Sequence, residues 1–142
     1  MLHATAHNLF RCWTEPALLV QWFAPRPWTT ASAELDLRPG GVSNIVMRSP
    51  QGEDMPNPGV YLDIVPDRRL VFTDAFAAGW RPAGQPFMVA EVTFEDLGDG
   101  TTRYSARAMH WTAEAKAQHE QMGFHDGWGQ CAAQLEDLAR TL

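Results

Sequence analysis

The sequence predicts an α+β fold: two short helices near the N-terminus, a run of antiparallel strands, and one long C-terminal α-helix. Three observations predict it. Phe124, Trp128, Cys131, Leu135, Leu138 and Leu142 recur at spacings of four and three, the stripe of a helix that buries one face. The middle of the chain instead alternates apolar and polar residues with period two, as half-buried strands do. Gly-, Pro- and Asp-rich turns separate those runs, and Asp99-Gly100 between two alternating segments is a hairpin signal.

The elements follow in order. His7 to Trp13 places Leu9, Phe10 and Trp13 on adjoining helical positions. Thr14 then reads as an N-cap, with Pro16 just inside a second helix where a missing N–H costs nothing. That helix, about Pro16 to Phe23, carries Leu18, Leu19, Trp22 and Phe23, and Pro25 and Pro27 end it.

Residues 29–37 alternate, with Ala33, Leu35 and Leu37 on one face and Glu34 and Asp36 on the other. Arg38-Pro39-Gly40-Gly41 is a turn, and 42–48 is the returning strand. Residues 49–59, rich in Pro and acid, read as a mobile loop. Runs 60–65 and 69–76 pair across Pro66-Asp67-Arg68, and 77–86 forms a second loop. Residues 87–96 and 101–110 make the last hairpin. On its second strand Tyr104, Ala106, Ala108 and His110 share one face, while Arg103, Ser105, Arg107 and Met109 share the other.

The closing helix is expected from Thr112, as N-cap, to the C-terminus, with Glu114 in the first turn where a carboxylate favours the helix dipole. Gly123, Gly127 and Gly129 lie inside it, each costing about 1 kcal/mol against alanine. Such a cluster is expected where a helix bends or where another group comes close. Neither a repeat nor a linker is visible, so one domain spans 1–142.

Composition excludes several classes of function. The net charge is −6, and the eleven Lys and Arg are scattered, with Lys116 the only lysine. A nucleic-acid partner would need a basic stripe. There is no membrane-length apolar run and no secretory signal in MLHATAHNLF, so a cytoplasmic location is expected. Cys12 and Cys131 show no metal-type spacing and read as two buried thiols in a reducing compartment. His119-Glu120 begins like a zinc-protease motif, but position 123 is Gly, and His125 falls on another helix face. No metal and no cofactor are expected. Six tryptophans and seven phenylalanines supply either dense core or pocket walls.

Four segments carry a resemblance. LFRCWTEPALLVQWFAP (9–25), LDLRPGG (35–41), GVYLDIVPDRRLVFT (59–73) and DGWGQCAAQLEDL (126–138) resemble, in this order, the bacterial proteins related to the C-terminal domain of the activator of heat-shock-protein-90 ATPase. These belong to the START-like, or SRPBCC, superfamily. The resemblance implies a helix-grip fold, a curved antiparallel sheet around the long C-terminal helix, with a ligand cavity between them. The family normally begins with a strand of about ten residues; here only MLHATA precedes the first helix. A shortened first strand leaves a sheet edge unpaired, so a homodimer through that edge is expected.

The implied cavity nominates residues. By alternation Met88, Ala90, Val92 and Phe94 should face it, as should Tyr104, Ala106, Ala108 and His110, with Phe124, Trp128 and Cys131 pointing in from the helix. Trp80, in a Gly/Pro-flanked loop, is a candidate lid, with Arg81 beside it for a ligand carboxylate and Trp22 and Trp28 on the opposite rim. The first function expected is binding of a small hydrophobic or aromatic molecule without turnover. The second is a polyketide-cyclase-like enzyme with His110 as general base. The third is a protein–protein module, as the family name suggests, although fold does not fix function.

Overall fold

The computed structural model describes residues 1–83 and 88–142, and of Phe124 the backbone alone. The chain opens with α1 (Ala6–Thr14) and α2 (Pro16–Leu19). Thr5 caps α1, its Oγ1 accepting the Asn8 N–H at 3.2 Å, and α1 buries Leu9, Phe10, Cys12 and Trp13 on one face. The N-cap of α2 is Glu15 and not Thr14: the Thr14 hydroxyl donates back to the Phe10 carbonyl at 2.8 Å, the intrahelical option open to a threonine. α2 also ends at Leu19, short of the expected Phe23. Beyond it the chain continues in turns, the Phe23 N–H still donating to the Leu19 carbonyl at 3.2 Å, and the Trp22 indole donates to the Cys12 carbonyl at 2.9 Å.

β1 (Thr29–Leu35), β2 (Ser43–Arg48) and β3 (Asp54–Asn57) form an antiparallel sheet in that order. β4 (Val60–Val65) and β5 (Arg69–Thr73) follow, then a small hairpin of β6 (Phe76–Ala77) and β7 (Arg81–Pro82), then β8 (Met88–Asp96) and β9 (Thr102–His110). The second sheet runs β4-β5-β8-β9, all antiparallel. The two sheets meet at a Val42–Val60 bridge, where Ser43 N–H donates to Gly59 O at 2.9 Å and Tyr61 N–H to Gly41 O at 3.1 Å.

Two segments read as loops carry strands. β3 occupies part of the expected loop 49–59 and pairs with β2 from Arg48↔Asp54 to Ile45↔Asn57. Its Pro56 is compatible with a strand at a sheet edge, and an Arg48–Asp54 ion pair at 2.7 Å fastens its start. β6 and β7 likewise lie in and beside the expected loop 77–86, paired Phe76↔Pro82 and Ala77↔Arg81.

The β8–β9 hairpin pairs without a slip from Met88↔His110 to Asp96↔Thr102. Ala90, Val92 and Phe94 are buried and face Ala108, Ala106 and Tyr104. The opposite face carries ion pairs, Arg69 with Glu91 at 2.7 Å and with Asp63 at 2.8 Å. At the N-terminus Leu2 alone bridges Thr102, its N–H donating to the Thr102 carbonyl at 2.8 Å and its carbonyl accepting at 2.9 Å.

The C-terminal helix is interrupted. α3 (Ala113–Gln121) and α4 (Phe124–Ala139) are separated at Gly123, whose φ is +85°, a conformation glycine adopts without the Cβ penalty. α3 has Thr112 as its cap, as expected, but no apolar face, and it buries none of its residues. The apolar stripe begins only with α4, and so does inward packing. Cys131, Leu135 and Ala139 of α4 join Leu9, Phe10 and Trp13 of α1 with Leu70, Val92 and Phe94 of the sheet in the core. Among the described residues no helix is long and apolar enough to cross a membrane.

Candidate functional site: an apolar cavity at the helix break

A cavity of about 580 Å³ opens where α3 gives way to α4, within the range of about 300–1,000 Å³ common for small-molecule sites. Ile45 and Met47 of β2, Phe72 at the end of β5 and Met88 at the start of β8 form its sheet side. Gly127, Trp128 and Cys131 of α4 form the helical side, and Trp22 and Phe23 close the flank after α2.

Specific bonds hold these walls. At the end of β5 the Thr73 hydroxyl donates to the Met88 carbonyl at 2.8 Å, and Asp74 Oδ1 accepts the Met88 N–H at 3.1 Å, so Met88 is pinned on both sides of its Cα. The buried Gln134 of α4 donates to the Trp22 carbonyl at 2.7 Å and the Ala24 carbonyl at 2.8 Å, and its Oε1 accepts the Arg26 N–H at 3.3 Å. The Cys131 thiol donates to the Phe23 carbonyl at 3.1 Å. The flank is thereby tied to α4, and backbone groups that would otherwise be buried without partners are satisfied. Behind it stands Trp13, buried, 4.9 Å from Trp22 edge-to-face and 6.2 Å from a nearly parallel Trp128 between ring centroids.

Gly127 lines the cavity for a reason of volume. A β-carbon built there meets nothing within 4 Å among the described residues, and its missing side chain leaves space. Among the described residues, then, no strand or loop comes close enough to require glycine at Gly127 or at Gly129, whose β-carbon would also meet nothing there. Close approach is instead found at Gly40, where a β-carbon would lie 2.6 Å from Nε1 of Trp80.

The titratable groups around the cavity are few. His119 of α3 lines it, and its Nδ1 lies 2.8 Å from Nε2 of His110 at the end of β9. One ring must accept in that bond, so the pair cannot hold a proton on both facing nitrogens. Burial, and then the neighbouring His110, lower the His119 pKa below the ordinary histidine value and hold the ring neutral at pH 7. Burial pushes the Cys131 thiol up to about 11 and Cys12 likewise, so both are neutral free thiols and poor nucleophiles. Asp74 is half-buried on the cavity wall. Among the described residues no three His, Cys, Asp or Glu side chains gather as metal ligands would.

Of the residues nominated from sequence, the structure brings Met88, Trp128, Cys131 and Trp22 to this cavity. Ala90, Val92 and Phe94 are buried in the core. Tyr104 packs against it, with its hydroxyl accepting the Trp13 indole N–H at 3.2 Å, and burial raises its pKa. Ala106 packs against the same core, Ala108 pairs with Ala90, and His110 reaches the cavity wall through His119. Trp80 has φ +64°, stacks edge-to-face on Phe76 at 5.6 Å, covers Gly40 and is 47% exposed. Trp28 lines a separate pocket of about 90 Å³ between the α2–β1 connection and Gln134. The Phe124 side chain lies outside the described residues.

Sequence reasoning missed Phe72, Asp74 and His119 as wall residues, and Gln134 as the clamp. Phe72 sits at the end of an alternating run, a signal that was present. The meeting of His119 with His110 depends on how α3 folds back beside β9, which no spacing along the chain encodes.

Residues 3–140 match the family described as Activator of Hsp90 ATPase homolog 1-like protein. A solved structure from Nitrosomonas europaea is 40% identical, covers 99% of this chain and 90% of its own, and superposes with a TM-score of 0.94. Structures from Mycobacterium smegmatis, at 24% identity with 96% and 85% covered and a TM-score of 0.79, and from Rhodobacter sphaeroides, at 20% identity with 100% and 89% covered and a TM-score of 0.84, share the fold. No protein of curated function matches the chain.

Proposed function

The chain belongs to the Activator of Hsp90 ATPase homolog 1-like protein family, and from that premise we propose that it binds a small apolar, aromatic-bearing molecule in the cavity at the α3–α4 break. One observation carries the reading. About 580 Å³ of space is walled by Trp22, Phe23, Phe72 and Trp128 together with methionines 47 and 88, and Gly127 leaves its share of the wall empty. Aromatic rings give large contact area with little entropy to lose, and methionines adapt to the ligand's outline. The hydrophobic effect then favours any apolar molecule that displaces water from these walls.

The test is a thermal-shift panel of fatty, aromatic and polyketide-like compounds on the purified protein. A ligand present at a hundred times its dissociation constant stabilises by about 2.7 kcal/mol, so a clear rise in Tm is expected with aromatic members. No shift across the panel would overturn the reading.

A cyclase-type enzyme is the second reading, favoured by the His110–His119 bond of 2.8 Å with His119 at the cavity wall. In it the neutral His119 takes a proton from the bound molecule while His110 holds the ring's orientation. Turnover of a polyketide-like ligand found in the panel, lost in His119→Ala with binding retained, is the expected result of that reading. Retained turnover would remove it.

A further inference from the structure

We infer that Ser43 is a specificity-determining residue of the cavity, its hydroxyl donating to a neutral carbonyl oxygen on the bound aromatic molecule. The inference rests on the reading of this cavity as the ligand site and adds the polar group that orients the ligand. Apolar walls hold a small molecule by contact area, and a few fixed polar groups set its direction.

β2 delivers Ser43 to the cavity by alternation. Ser43, Ile45 and Met47 belong to the described lining, and Asn44 and Val46 between them do not, so the first three side chains share the inner face. The position is rigid, because Ser43 stands where the two sheets meet. Its N–H donates to the Gly59 carbonyl at 2.9 Å, and it pairs with Leu35 of β1. Ser43 is also buried, at 6% exposed.

Behind it lies Tyr61 of β4, itself buried, whose hydroxyl has Ser43 as its hydrogen-bond partner. A phenol is more acidic than an aliphatic alcohol and is the stronger donor, so Tyr61 donates and Ser43 accepts. A serine hydroxyl offers one donor and two acceptor positions, and this arrangement leaves Ser43 its proton. A buried donor is costly without an acceptor, and the cavity is where a ligand can supply one.

Other donors of the same wall are spent on the protein's own carbonyls. The Thr73 hydroxyl goes to Met88 at 2.8 Å, and the two amide hydrogens of Asn57 go to Ile45 at 3.0 Å and Met55 at 3.1 Å. The Trp22 indole goes to Cys12 at 2.9 Å and the Cys131 thiol to Phe23 at 3.1 Å. Arg81, a candidate partner for a ligand carboxylate from the sequence, belongs to β7 and is exposed, away from the described lining.

The experiment compares 2-acetonaphthone with 2-isopropenylnaphthalene, in which a methylene group replaces the carbonyl oxygen at nearly the same shape. Both are titrated into the intact protein by fluorescence. Ser43→Ala is expected to weaken the ketone by about three- to tenfold, the worth of one neutral hydrogen bond, while leaving the alkene's affinity unchanged. An equal change for both compounds, or none for the ketone, would overturn the role of Ser43 while the cavity reading stands. If neither compound binds, the cavity reading falls as well. The infrared carbonyl stretch of the bound ketone gives a second readout. It is expected below its position in hexane and to rise toward that position in Ser43→Ala; a stretch at the hexane position in the unsubstituted protein overturns the inference without any variant. Should Ser43→Ala not fold, Ser43→Cys keeps nearly the same volume with a weaker donor. It should raise the stretch part of the way, and an unmoved stretch would likewise remove Ser43 from the site.

Discussion

The inward row of β8 and β9 follows one alternation throughout, yet its two ends have opposite contents. At the Phe94↔Tyr104 end the row is filled: Phe94 lies 5.8 Å from both Phe10 and Tyr104 between ring centroids, and Leu135 is fully buried in the same core. At the Met88↔His110 end both residues are half-buried, and Met88 borders the open cavity. The strands do not make this difference; the helices above them do. α4 brings an apolar stripe and α1 a second one over the filled end. Over the other end lies α3, which has no apolar side chains to send inward beyond its alanines and buries none of its residues. A strand pattern thus specifies which face is apolar, and the opposing helix decides whether that face becomes core or pocket.

The contrast can be broken first at the filled end. Leu135→Ala removes a fully buried side chain and should cost about 2–5 kcal/mol, measured by urea denaturation. Met88→Ala at the open end already faces empty space and should cost about 1 kcal/mol or less, because little packing is lost. Equal costs would mean that the open end is packed as tightly as the core.

A smaller effect comes from pH. The folded-state pKa of His119 is lowered relative to the unfolded chain, chiefly by burial and then by His110. The unfolded chain then takes up the proton more readily, so this contribution to stability is full above the ordinary histidine value of about 6.5 and is lost as pH falls below it through the lowered folded value. Denaturation midpoints at pH 7.5 and 5.5 should fall further for the native sequence than for His119→Asn. An identical fall in both would show that His119 does not contribute.

Much of the filled end was legible in the sequence. Asp99-Gly100 fixed the last hairpin, with Gly98 and Gly100 both at positive φ, and the period-two pattern then assigned its faces correctly. The α4 stripe was readable because its spacings are regular. The break before it was not located: three glycines stood as candidates, and only Gly123 takes the left-handed conformation. The absence of large apolar residues in AEAKAQHEQ was the signal that α3 would not continue the buried stripe. β3 was hidden because prolines and acids read as loop, although an exposed edge strand tolerates both. The cavity walls were the least legible. Met88 and Trp128 follow from alternation and helical spacing, whereas the flank of Trp22 and Phe23 depends on bonds from Gln134 more than a hundred residues away.

The most direct test of the open cavity is Gly127→Phe, measured for both thermal stability and binding of an aromatic ligand such as 2-naphthylmethanol. A β-carbon at Gly127 meets nothing within 4 Å among the described residues, and replacing a helix-interior glycine gains a few tenths of a kcal/mol in helix propensity. The account predicts a Tm equal to or above that of the native sequence together with lost binding, as the ring fills the space the ligand would take. A variant that is strongly destabilised, or one that binds the ligand unchanged, would contradict it.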